Sequence, residues 1–318
     1  MRRFLSYLLF FAVPAVFAQT YPAQPIRVLV PFAPGGAVDT AARVLTQKMT
    51  ERLGWNFIID NRPGGNGFIA VTAAAKAPAD GYTLLMASAG EMALNPALFP
   101  NAPYDVDRDL VPITMVSDSP MLYIANVAAP FNSFQELVAA AKEKPGSIPY
   151  SSAGSGSMNH LAGEWLALAS GIKLIHVPYK GGAPAAAAIA AGEVQFGVAA
   201  IPGAMPHLKS GRTKVIGLTT AKRSTLDTTW TTPRDSGIPD VDVSIWVGLL
   251  GPKGIPQAIA DKLNTEVRRT LEAPEVLKRF ADLGSETSGM SQSDFLTRIR
   301  TDNKRYKLIV QRAGMKAE

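Results

Sequence analysis

The 318-residue chain contains no cysteine. That excludes disulfides, thiolate metal sites and a cysteine nucleophile, but it does not fix the compartment, because exported proteins need no disulfides. Histidine is almost as scarce. His160, His176 and His207 lie far apart, with no carboxylates at defined spacing, so no metal site is expected and each reads as a helix or strand residue with local hydrogen bonds. No Gly-x-Gly-x-x-Gly is present, and no glycine loop closes with Lys-Ser or Lys-Thr, which argues against a nucleotide phosphate. No Lys/Arg run is interleaved with aromatics, so nucleic-acid binding is not expected. Gly154-Ser155-Gly156 is not the Gly-x-Ser-x-Gly elbow, and Ser155 or Ser157 with His160 has no triad spacing. A hydrolase stands only as an alternative; no catalytic residue, metal or cofactor is assigned.

Apolar residues make up 47% of the chain and charged residues 18%, a globular balance, and the length suits two domains. Arg2 and Arg3 precede a mostly apolar stretch from Phe4 to Phe17, and Val16-Phe17-Ala18 ends in a small residue. This reads as a cleavable secretory signal, residues 1–18, cut after Ala18; the apolar run is shorter than the ~20 residues of a spanning helix. No later stretch is long and apolar enough to span a bilayer, so a soluble, periplasmic mature chain is expected. Loss of Arg2 and Arg3 lowers the net charge from +6 to +4, and the remaining charges are spread out. A mildly basic surface is compatible with anionic ligands without establishing them.

Residues 26–43 are the stretch around which the chain is organised. Ile26, Val28, Leu29 and Val30 form a short apolar run suited to a central parallel strand. Pro34, Gly35 and Gly36 break it, and from Val38 the apolar residues Ala41, Ala42, Leu45 and Met49 recur at helical spacing up to a stop at Gly54. A strand that runs through glycines into a helix leaves first-turn amides pointing outward at the positive end of the helix dipole, which suits an anion. Strands at 57–59 and 82–87, ending at Ser88, and a helix from Phe68 to Lys76 complete a β-α-β-α-β unit, in which ligands sit beyond the carboxyl ends of the strands.

Residues 95–112, rich in Pro, Asn and Asp, read as a connection to a second series. That series has a strand at 121–125, a helix opened by the capping box Ser133-Phe134-Gln135-Glu136, and a strand at 149–152. Ala153-Gly154-Ser155-Gly156-Ser157-Met158-Asn159-His160 then forms a second strand–Gly/Ser–helix joint, rich in hydroxyls and open to an anion or to a plain serine cap. Strands at 173–178, 194–198, 214–218 and 244–250 come next, with a surface loop at 221–240 and helices at about 256–271, 274–282 and 292–312. The overall expectation is an α/β protein of two similar halves.

Several stretches together resemble one family over nearly the whole mature chain. They are residues 21–27, Pro31-Phe32-Ala33-Pro34-Gly35-Gly36-Ala37-Val38-Asp39, Asn61-Arg62-Pro63-Gly64-Gly65-Asn66-Gly67 and residues 78–84, then Ser152-Ala153-Gly154-Ser155-Gly156-Ser157, residues 176–181 and residues 249–256. In order and spacing the chain is similar to the solute-binding proteins of the tripartite tricarboxylate transporter system, the Bug family. The resemblance implies a two-domain type II periplasmic-binding-protein fold, each domain a mostly parallel sheet flanked by helices. Domain 1 would comprise 19–120 and 222–318 and domain 2 would comprise 121–221, with hinge crossovers near 118–122 and 220–224. It implies a small carboxylate held in the cleft by backbone amides and ordered water. The candidates carried over are Gly35, Gly36, Ala37, Val38 and Asp39 on one side, and Gly154, Ser155, Gly156, Ser157 and His160 on the other, with Ser88 and Tyr179 as further candidates. Asp39 would orient water or cap the helix.

One departure stands out. Where many members carry Asp-Asn before a proline, this chain has Ala199-Ala200-Ile201-Pro202, which would make a more apolar pocket suited to an aromatic or longer aliphatic monocarboxylate. The implied function is capture by hinge closure and delivery to a separately encoded membrane transporter, with presentation to a sensor kinase as the alternative. A monomer is the default.

Overall fold

The computed structural model describes residues 21–239 and 241–316. The expected signal segment, residues 1–18, lies outside them. The first unit forms as its pattern predicts. Strand β1 (Ile26–Val30) pairs in parallel with β2 (Phe57–Asn61) and β3 (Thr83–Ser88), with α1 (Ala37–Leu53) and α2 (Phe68–Ala75) as crossovers. Val28 and Val30 go into a cluster with Ala41, Leu45 and Met49 of α1. Helix α1 ends where Gly54 turns left-handed at φ 71° and its amide reaches the Thr50 carbonyl.

Residues 95–112 are not a plain connection. A π-helical turn, Gly90–Leu94, runs into α3 (Asn95–Leu98), followed by α4 (Val106–Asp109) and the start of β4 (Leu110–Asn126). The residues that suggested a loop are helix starters. Pro96 lies in the first turn of α3, and the Asp105 carboxylate caps α4 by accepting the Arg108 amide at 2.8 Å.

The second half contains α5 (Phe134–Glu143), β5 (Pro149–Ser152), α6 (Met158–Ser170), β6 (Ile175–Pro178), α7 (Gly182–Ala191), β7 (Phe196–Ala200), α8 (Ile201–Lys209) and β8 (Thr213–Leu218). The capping box at α5 closes one residue early. Ser133 Oγ accepts the Glu136 amide at 3.2 Å, but the Glu136 carboxylate takes the Asn132 amide at 2.7 Å. The chain then returns through β9 (Ser244–Pro252), α9 (Gln257–Leu271), α10 (Pro274–Asp282), β10 (Glu286–Thr287) and α11 (Gln292–Ala313).

The strand order is β2-β1-β3-β9-β4-β7-β5-β6, with β8 and β10 also on β4. Parallel runs β2-β1-β3 and β7-β5-β6 thus flank the antiparallel pair β9 and β4. Strand β4 serves both halves. Leu110 to Pro120 pair with β9, and Met121 to Asn126 pair with β7 and β8, so its partners change between Pro120 and Met121. The return path is tied to the same point, since Thr219 Oγ1 accepts the Met121 amide at 3.0 Å and donates to the Val243 carbonyl at 2.6 Å. The result is a mixed α/β fold of two domains side by side, joined at β4 and by the 219–243 segment. Among the described residues no helix is long and apolar enough to cross a membrane.

Candidate functional site

A cleft of about 390 Å³ opens between the halves at the carboxyl ends of β1, β3 and β5. Pro31, Phe32 and Ala33, just after β1, form one wall with Gly64, Asn66 and Gly67. Ser88, Gly90, Glu91, Leu94 and Asn95 continue it beyond β3. Gly156, Ser157, Met158 and Asn159, at the start of α6, form the opposite wall, and Ile245 of β9 also lines the space.

The first loop is held from behind. Gly36 is the N-cap of α1 and offers no side chain to the helix. Asp39, 1% exposed, is neither that cap nor open to a ligand or its water. Its Oδ2 accepts the Gly35 amide at 2.8 Å and Arg43 Nε at 2.9 Å, and its Oδ1 accepts the Asn61 amide group at 2.9 Å. Burial pushes this carboxyl up, but hydrogen bonds from Arg43, Gly35 and Asn61 outweigh it and hold the pKa below the usual carboxylate value. The Val38 side chain belongs to the buried α1 cluster, which leaves only its backbone for a ligand. Gly35, Gly36 and Ala37 stay exposed on the loop.

The second loop is also internally bonded. Ser157 Oγ accepts the His160 amide at 3.2 Å and donates to the Gly154 carbonyl at 2.7 Å, so this hydroxyl caps α6. The Gly156 amide donates to His160 Nδ1 at 3.1 Å. The His160 ring stacks on His176, with centroids 3.7 Å apart. Burial and the neighbouring imidazole pull His160 down to about 4, which keeps it neutral at neutral pH with Nδ1 free to accept. His160 therefore shapes the loop and does not present its ring to the cleft. Gly154 and Ser155 are half-buried on the loop. Helix geometry leaves the amides of Met158 and Asn159 without an intrahelical acceptor, and both residues line the cleft. These two were missed because the serines ahead of them drew the reading; the cap rule, which assigns Ser157 to the His160 amide, points one residue further on.

Three expected contacts, Tyr179, Ala199 and Ala200, are corrected. The Tyr179 hydroxyl donates to Glu193 at 3.3 Å, beyond the far end of α7, so this side chain turns away from the cleft. Ala199 is 1% exposed and sits in an apolar cluster with Leu122, Ile189 and Leu218. Strand alternation points its methyl into that cluster, so it does not make the pocket apolar. Ala200 ends β7 half-buried, outside the cleft lining.

Glu91 was not foreseen. It is 4% exposed, lines the cleft, and its Oε2 accepts both the Ser88 amide and the Ser88 hydroxyl at 2.8 Å. Burial lifts its pKa to about 7 despite those two donors. Ser88 thus does lie on the cleft, where its hydroxyl serves Glu91. The signal for Glu91 was its place three residues past Ser88 at the end of a central strand.

The fold and the interdomain cleft define a periplasmic-binding-protein architecture. The sequence matches the Tripartite tricarboxylate transporter family receptor model over residues 41–315, and the chain belongs to that family. It is 33% identical over 302 residues to Protein BugT of Bordetella pertussis, covering 95% of this chain and 93% of that one. An R. palustris protein solved with adipate superposes with a TM-score of 0.80 at 30% identity, covering 93% of this chain and 99% of the other. MatC from Rhodopseudomonas palustris with bound malate gives a TM-score of 0.75 at 30% identity, covering 91% and 100%. The periplasmic binding protein BugD superposes with a TM-score of 0.76 at 31% identity, covering 94% of this chain and 100% of the other.

Proposed function

We propose that this chain is an extracytoplasmic receptor that captures a small carboxylate in the cleft and delivers it to a tripartite tricarboxylate-type transporter in the membrane. The observation that carries this is the start of α6, whose first residues, Met158 and Asn159, line a cleft between two halves together with Pro31, Phe32 and Ala33 of the β1–α1 loop. A helix start favours an anion through its free amides and its dipole. The two similar proteins solved with adipate and malate agree in ligand class. Residues 1–18 would direct export and be removed.

In this reading residues 19–120 with 222–318 form one body and 121–221 the other. They close about the Pro120–Met121 switch in β4 and the segment around Thr219. The exposed backbone of Gly36 and Ala37 in the first loop and the Gly154–Asn159 loop then meet on opposite ends of the ligand, and the closed form docks on the transporter as a monomer. Calorimetric titration with small carboxylates and their uncharged amides tests the capture step: acids should bind and their amides should not. Transport assayed with the neighbouring membrane genes tests delivery.

A further inference from the structure

Among the described cleft-lining residues, the one ionisable side chain is an acid, Glu91. Its position is built by two features. Ser88 supplies two donors to Oε2, both at 2.8 Å. Gly67, at φ 84°, leaves the space the side chain fills: a Cβ there would lie 2.7 Å from Glu91 Cγ. No Lys, Arg or His stands within ion-pair distance of it among the described residues. Tyr104 donates its hydroxyl to the Glu91 backbone carbonyl and, raised far above the usual tyrosine value by burial, carries no charge. Asn95 is turned to the Asn66 carbonyl and Asn303 of α11 to that of Ala93, so neither brings charge. Once Glu91 is ionised the two walls of the cleft differ in sign: the helix start at Met158 and Asn159 on one, a carboxylate with no cationic partner on the other.

We infer that Glu91 selects ligands by the end opposite the captured carboxylate, accepting a hydroxyl, amide or ammonium donor and rejecting a second carboxylate. This rests on the carboxylate-capture reading above. A like charge placed near an ion in a partly desolvated cleft is repelled far more strongly than in bulk water, whereas a donor finds an acceptor already ordered by Ser88. The chain would thus differ in selectivity from the neighbours solved with the dicarboxylates adipate and malate.

The test compares hexanoate, 6-hydroxyhexanoate, 6-aminohexanoate and adipate, matched in carbon length, by calorimetry on the chain and on Glu91→Gln. The titrations run at about pH 8.5, where the carboxyl is ionised. The wild type should bind the hydroxy or amino acid at least about tenfold more tightly than adipate, and Glu91→Gln should narrow that ratio to within about threefold, chiefly by gaining adipate. Adipate equal or better in the wild type, or a ratio unchanged by the substitution, overturns the role of Glu91 while leaving carboxylate capture intact. Failure of all four acids to bind either protein overturns capture itself, and the selectivity with it. Should Glu91→Gln fold poorly, the wild-type ratio is followed from about pH 8.5 to about pH 5.5. It should shrink as the carboxyl is protonated, and a constant ratio contradicts the proposal.

Discussion

The Asp39 carboxylate holds the Gly35 amide at 2.8 Å, four residues back along the chain, and so fixes the glycine turn ahead of α1 from inside the protein. The same carboxylate is paired with Arg43 and bonded to Asn61 of β2, which locks strand, turn and helix into one piece. Asp39→Ala removes all three contacts from a buried position and should cost about 2–4 kcal/mol in chemical denaturation. Carboxylate affinity should fall as well, because the loop loses its order. Unchanged stability would show that the turn is held by something else.

His160 offers a second test. Its folded pKa, about 4, lies below the ordinary histidine value, so the native state binds fewer protons than the unfolded chain between the two. Its contribution to stability is complete above about pH 6.5 and is lost as the pH falls towards 4. Protonation also turns Nδ1 into a donor and breaks its bond with the Gly156 amide. Nuclear magnetic resonance should show the His160 ring neutral from pH 8 to about pH 5. A midpoint near the ordinary histidine value would contradict the burial argument.

Glu91 acts in the opposite direction. Its folded pKa is raised to about 7, so the native state holds a proton that the unfolded chain has released. Stability should therefore fall as pH rises from the ordinary glutamate range to about 7, and level off above that. Glu91→Gln keeps the shape without the charge, so at about pH 8 it should be more stable than wild type by roughly 3 kcal/mol, with under about 1 kcal/mol of difference near pH 5. Paired thermal unfolding curves at the two pH values check this, and an equal difference at both would refute it.

Near the switch in β4, Asp302 of α11 is fully buried and accepts Trp246 Nε1 at 2.8 Å and Arg298 Nε at 2.7 Å. Arg298 also faces Asp118 of β4 at 3.7 Å and donates to Ser244 at 3.1 Å. Burial pushes both carboxyls up, and Arg298 opposes it. Asp302→Ala leaves the Trp246 donor and Arg298 Nε unanswered and should cost about 3–5 kcal/mol in denaturant unfolding. A loss under about 1 kcal/mol would mean that water replaces the carboxylate.

The fold was legible because its signals are local and redundant. The apolar run at 26–30 and the helical spacing from Val38 are repeated in kind along the chain, and the glycine stop at Gly54 took the left-handed turn expected of it. The region 95–112 was misread because Pro96 and Asp105 mean one thing in a loop and another at a helix start, and only the neighbouring strands decide. The site was legible to the level of loops. Which atoms face the cleft depends on partners distant in sequence, as Asn61 is from Asp39 and His176 from His160. Glu91 shows the same limit: spacing cannot tell whether a glutamate beyond a strand turns outward or back onto Ser88.

Thermal unfolding of the chain against a panel of small carboxylates and their amides tests the central claim most directly. A ligand at about 100 times its Kd should stabilise the protein by about 2.7 kcal/mol, a clear rise in Tm. A rise with one group of acids and none with their amides is the predicted result. No shift across the panel, or equal shifts with acids and amides, would contradict capture of a carboxylate in this cleft.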